Sequence, residues 1–176
     1  MKKLIAIALF IGVLACENKK SNSSQEYSAN ENKIEEQEIQ TANIQQENAD
    51  RIILAYLNIK DALVSSDAEA ASFAAEELLF DLDKNENKVI DKLFKEVKLI
   101  AKSEDVEQQR IYFDGLSSNI YALVKNTETE ITFYHQYCPM AFDDRGAFWL
   151  SDEEKVYNPY FGDKMLRCGK VKEVIN

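Results

Sequence analysis

SEDVEQQRIYFDGLSSNIYALV, residues 103–124, decides the fold class. Its apolar residues Val106, Phe113, Leu116, Ile120 and Val124 follow one another at spacings of seven, three, four and four. That period describes one face of an α-helix and no face of a strand. Ser103 stands ahead of the run, where a short hydroxyl side chain can accept from a free amide of the first turn. Gly115 lies inside the pattern and costs about 1 kcal/mol against Ala, so a close neighbour is expected there.

The same period extends back toward the N-terminus. Ala49 to about Val64 sets Ile52, Ile53, Tyr56, Leu57, Leu63 and Val64 on or near one face. Ser65-Ser66-Asp67 breaks that helix and offers a cap to the next. The second helix, Ala68 to about Leu82, buries Ala71, Ala74, Ala75, Leu78 and Leu82, and its alanines permit close helix approach. After a polar connection at Asp83–Asn87, a third helix, Lys88 to Lys102, carries Val89, Ile90, Leu93, Phe94, Val97 and Ile100. Asp81-Leu82-Asp83-Lys84-Asn85 opens like a calcium-binding loop. The sixth position is Glu86 instead of Gly and the twelfth is Lys92 instead of Glu, so calcium is excluded. Four amphipathic helices with short connections predict a mainly α protein, a four-helix up-and-down bundle.

The segments ahead of the helices differ in composition. Lys2 and Lys3 precede an apolar run, Leu4–Leu14, which is too short to span a bilayer. It ends in Val13-Leu14-Ala15-Cys16, which is similar to the lipobox of bacterial lipoproteins. That resemblance implies a signal peptide at 1–15 and a lipid on Cys16 as the first residue of the mature chain. It places the protein in the cell envelope, anchored to the membrane and facing the periplasm or the exterior. Residues 16–48 are rich in Glu, Asn, Gln, Lys and Ser and cannot bury enough apolar surface to offset their ordering entropy. They are expected to form a flexible tether, reaching roughly 30 Å as a coil of about 30 residues. Residues 49–176 are then one domain. With 31 acidic and 21 basic residues the chain carries a formal charge of −10. That excludes nucleic acid as a partner and adhesion to anionic lipid by charge alone.

Beyond the helices the composition changes again. Residues 135–169 read HQYCPMAFDDRGAFWLSDEEKVYNPYFGDKMLRCG. Apart from Cys16, this stretch holds every His, Trp, Pro, Cys and Met that follows the leader. Ile131–Tyr137 is rich in β-branched and aromatic residues and reads as a strand, and Lys170–Ile175 as a last strand pairing with it. Asp143–Gly146 and Asn158-Pro159 read as turns, and Lys164–Arg167 as one helical turn. Phe148, Trp149 and Leu150 read as an aromatic anchor. The result is a small C-terminal β/loop appendix on the bundle.

Its chemistry points away from catalysis. There is a single histidine, no Gly-x-Ser-x-Gly elbow and no phosphate-binding glycine loop, so an enzyme is not expected. Cys138-Pro139-Met140 sets a thiol and a thioether two residues apart, and Met165-Leu166-Arg167-Cys168 repeats the pair in reverse. His135 precedes Cys138 by three. Thiolate, thioether and imidazole together select Cu(I) or, less selectively, Zn(II). The metal candidates are therefore Cys138, Met140, Met165, Cys168 and His135. The alternative is that Cys138 and Cys168, an even pair in an oxidising space, form a disulfide.

Tyr137-Cys138-Pro139-Met140-Ala141, Gly146, Trp149-Leu150-Ser151, Asn158-Pro159-Tyr160, Gly162, Met165 and Cys168-Gly169 resemble a bacterial domain of unknown function. It is found in envelope lipoproteins and appended to periplasmic adaptor subunits of heavy-metal efflux pumps. The resemblance implies a helical domain with a C-terminal Cys/Met motif and raises copper as cargo and an efflux adaptor as partner. Two functions follow as expectations: a lipid-anchored soft-metal buffer or chaperone, or a disulfide-stapled interaction module without metal.

Overall fold

Two aspartates open helices by one device. Asp67 Oδ1 accepts from the amide of Ala70 at 2.9 Å, and Asp105 Oδ1 accepts from the amide of Glu107 at 2.9 Å. Each satisfies a donor that the first helical turn leaves free. The cap of the fourth helix is thus Asp105. Ser103, two residues earlier, accepts from the Asp105 amide instead (3.2 Å) and orders the approach.

The computed structural model describes residues 48–82 and 88–176, all within one compact unit, Gln40–Asn176. The expected signal peptide, Cys16, the expected tether up to residue 47 and the Asp83–Asn87 connection lie outside the described residues. Four helices come first: α1 (48–64), α2 (Ala68–Leu82), α3 (Lys88–Ala101) and α4 (Val106–Val124). The expected faces are the buried ones. Tyr56, Leu63, Ala71, Ala75, Leu78, Val97, Ile100, Phe113, Leu116 and Ile120 share one core. Tyr56 of α1 stacks on Phe113 of α4, with ring centroids 5.1 Å apart. The protein is mainly helical, an up-and-down bundle with a small C-terminal sheet.

That sheet has three antiparallel strands in the order β2-β1-β3: β1 (Phe133–Cys138), β2 (Ala147–Ser151) and β3 (Lys170–Ile175). The last strand falls where periodicity put it and pairs as expected, Tyr134 opposite Val174 and Tyr137 opposite Lys170. The middle segment is a correction. Ala147–Ser151 is a full strand, paired from Tyr134–Ser151 to Cys138–Ala147, where sequence suggested only an anchor. Four of its five side chains are buried, so the alternation that announces a strand is missing. Between β1 and β2 the chain turns through Phe142, Asp143 and Asp144, all left-handed with φ of 54°, 55° and 65°. Gly146 closes the turn at φ 78° with its α-carbon against the Tyr137 ring, where a side chain would collide. The helical turn expected at Lys164–Arg167 lies earlier, as a 3₁₀ turn over Gly162–Lys164.

Strand alternation gives the sheet two faces. His135, Tyr137, Phe148 and Leu150 share one face, where Tyr121 of α4 stacks on His135. Gln136, Cys138, Ala147 and Trp149 share the other, covered by residues 152–169: Gln136 Nε2 donates to the Glu153 carbonyl at 2.8 Å and Trp149 meets Tyr160 edge-on. Buried Arg110 fastens this loop to the bundle. It donates to the carbonyls of Pro159 (2.8 Å) and Leu63 (3.1 Å) and to Ser66 Oγ (2.9 Å), and pairs with Glu107. A buried charge is tolerated when every donor finds an acceptor.

Candidate dithiol site

Cys138 ends β1 on the loop-covered face and is fully buried. Cys168 arrives from the far end of the loop. Asn158 positions it: its Nδ2 donates to the Cys168 carbonyl at 2.7 Å while its own amide donates to the Leu166 carbonyl at 2.9 Å. Asn158 Oδ1 accepts from the Tyr160 amide at 2.8 Å, and Tyr160 Oη donates to the Phe148 carbonyl at 2.6 Å. The Asn-Pro-Tyr turn is thereby tied to β2 at one end and to Cys168 at the other. Gly169 follows with its α-carbon between Trp149 and the Tyr137 carbonyl.

The two sulfurs meet at 2.9 Å as free thiols. The contact is longer than the roughly 2.05 Å of a disulfide bond. Burial first, and the neighbouring Cys138 sulfur second, push the Cys168 thiol up to about 11, against the backbone N–H of Met140 that donates to it. Cys168 is therefore a protonated thiol at neutral pH, and a metal that binds it must displace that proton.

The methionines differ from core filler. Neither belongs to the apolar core, and Met140 is 47 % exposed. Met165 is half-buried, and its carbonyl accepts from the Cys168 amide at 3.0 Å. His135 stands apart. It lies three positions before Cys138, an odd offset, so the strand turns its ring to the opposite face of the sheet. There it lies between Tyr121 and Phe148, with centroids 4.3 and 4.7 Å away, and its Nδ1 is 3.8 Å from Glu173. Burial lowers its pKa, and Glu173 opposes that in part. No group of three or more His, Cys, Asp or Glu side chains converges among the described residues. The two thiols converge, and Met140 and Met165 approach Cys168 through their backbones, the Met140 N–H donating to its sulfur and the Met165 carbonyl accepting from its amide.

Sequence reasoning missed the polar residues that hold the site. Asn158, Gln136 and Arg110 are all buried, yet each type reads as surface in a linear pattern. Only the Asn-Pro turn signal marked one of them.

The fold and site define a small helical module that carries a dithiol on a three-stranded sheet. Residues 52–132 match the family described as "Protein of unknown function (DUF3347)". The match covers the helices and the approach to β1, and it ends before His135 and the Cys/Met stretch. No curated protein matches the chain, and no solved structure does. Among the described residues no helix is long and apolar enough to cross a membrane.

Proposed function

We propose that this protein is an envelope soft-metal binder, anchored through a lipid on Cys16, that buffers Cu(I) or hands it to a heavy-metal efflux system. Cys138 and Cys168 supply thiolates, Met140 the entering thioether, and Met165 a further sulfur. His135 takes no part, because it occupies the other face of the sheet. The observation that supports this reading is the meeting of two uncrosslinked thiols 30 residues apart in the chain, one of them two residues from an exposed thioether. An exposed Met beside paired thiols offers a soft donor to an arriving ion, where burial would serve packing.

A second reading rests on the same contact. Thiols this close, one fully buried, are poised to oxidise into a staple in an oxidising space. Titration of reduced protein with Cu(I) against a competing chelator separates the two. The metal reading predicts one tightly held ion per chain, weakened at least tenfold when Met140 and Met165 are both replaced by Leu. Unchanged affinity in that variant would remove the thioethers from the site, and no binding by the reduced protein would leave only the staple.

A further inference from the structure

Tyr157 carries two cations on one ring. The Arg167 guanidinium carbon lies 4.0 Å from its centroid and the Lys155 ammonium 5.3 Å. Both cations are exposed, and neither forms an ion pair among the described residues, although Glu153 and Glu154 directly precede Lys155. Lys98 over Phe94 and Lys172 over Tyr137 likewise have no ion pair among the described residues, and Tyr157 differs from those rings in holding two cations. The guanidinium is oriented as well, since Arg167 Nη1 donates to the Val156 carbonyl at 2.8 Å. Arg167 and Lys155 together draw the Tyr157 phenol below its ordinary range. Two like charges held on one phenol leave an anion's place unfilled, and the next residue after Arg167 is Cys168.

We propose that Lys155, Tyr157 and Arg167 form a docking anchor for a carboxylate-bearing surface of a partner protein. A guanidinium offers a carboxylate a paired, directional contact, and Tyr and Arg are residue types on which binding energy concentrates. The chain as a whole is strongly acidic, with a net charge of −10, so an acidic partner is repelled elsewhere and admitted here. An anionic membrane is the weaker fit. Two cations attract it only weakly, set against repulsion of the whole acidic chain. If the dithiol carries metal as proposed above, cations at its edge disfavour a bare incoming cation, and exchange from an acidic-faced donor is the route they permit. That consequence rests on the metal reading, whereas the anchor itself does not.

The test titrates hexaglutamate peptide into isotopically labelled reduced protein and follows backbone amide shifts. Shifts confined to Lys155–Tyr157 and Arg167–Gly169 are expected, weakening as salt is raised. Reversal of both charges, Lys155→Glu with Arg167→Glu, is expected to cost about tenfold in affinity, which corresponds to about 1.4 kcal/mol. Should reversal disturb the loop, Lys155→Gln with Arg167→Gln carries the same prediction. Shifts spread elsewhere, or equal binding by the double variants, would overturn the anchor. Stronger binding of phosphatidylserine-containing vesicles than of peptide, lost in the same variants, would overturn it in favour of lipid. Peptide docking by a protein that takes up no Cu(I) would uphold the anchor and sink the metal reading.

Discussion

His135 shows how one side chain can look like a ligand and serve another purpose. Its ring fills the space between α4 and the sheet, and burial there favours the neutral form. A folded-state pKa below the ordinary value of about 6.5 means that the unfolded chain binds more protons just below that pH. Stability therefore falls as pH drops through that window and levels off beneath it. Glu173 acts lower down. Hydrogen bonds from Lys125 first and Tyr121 second hold its carboxyl below the usual range, so its contribution is present above the ordinary carboxylate value and lost as pH falls through the lowered one. The melting temperature is expected to decline in two steps below neutral pH. His135→Phe keeps the stacked ring and should erase the upper step alone, as thermal scans across pH 7 to 3 would reveal. An upper step that survives the substitution would exclude His135 as its source.

Among the elements, α4 carries the organising role. It stacks on α1 through Phe113, packs along α3, and meets the sheet through Tyr121. It also holds the loop through Arg110, and corners α2 and α3 through Gln109, whose Nε2 donates to the carbonyls of Ala68 (2.9 Å) and Ser103 (2.7 Å). Gly115 faces Glu96 of α3. A β-carbon placed there would stand 3.1 Å from Glu96 Cδ, the end of a flexible side chain that can swing aside. Relief of the helical glycine cost, about 1 kcal/mol, then outweighs the contact. Gly115→Ala should raise stability by about 0.5–1 kcal/mol in urea unfolding; a loss would show that Glu96 is held in place. The edge strand β2 has a comparable protection, because the amide of Leu150 donates to Tyr56 Oη at 3.0 Å and does not stand open to another chain.

At the scale of the whole molecule, the cysteines decide how the appendix is fastened. Residues 139–167 close a loop whose ends meet at the two sulfurs. If that contact becomes a disulfide, the chain-entropy model assigns it about 3–4 kcal/mol. Oxidised protein should melt several degrees above reduced protein, and Cys138→Ser with Cys168→Ser should abolish the difference. Equal melting of the two forms would show that Arg110, Asn158 and Tyr160 already hold the loop without the crosslink.

The helices, the last strand and the gathering of soft ligands in one stretch were legible in the linear order of residues. Helical burial repeats locally, so the spacing of Ala71, Ala74, Ala75 and Leu78, or of Phe113, Leu116 and Ile120, needs no knowledge of the partner. What met what was decided only in three dimensions. Alternation along β1 sets Cys138 and His135 on opposite faces, but only the closing of the loop over one face brings Cys168 to Cys138, and a strand buried at four of its five positions announces neither itself nor its register. Arg110, Gln136 and Asn158 are polar in any linear reading. Their burial follows from backbone carbonyls and amides that converge only when the loop closes over the sheet.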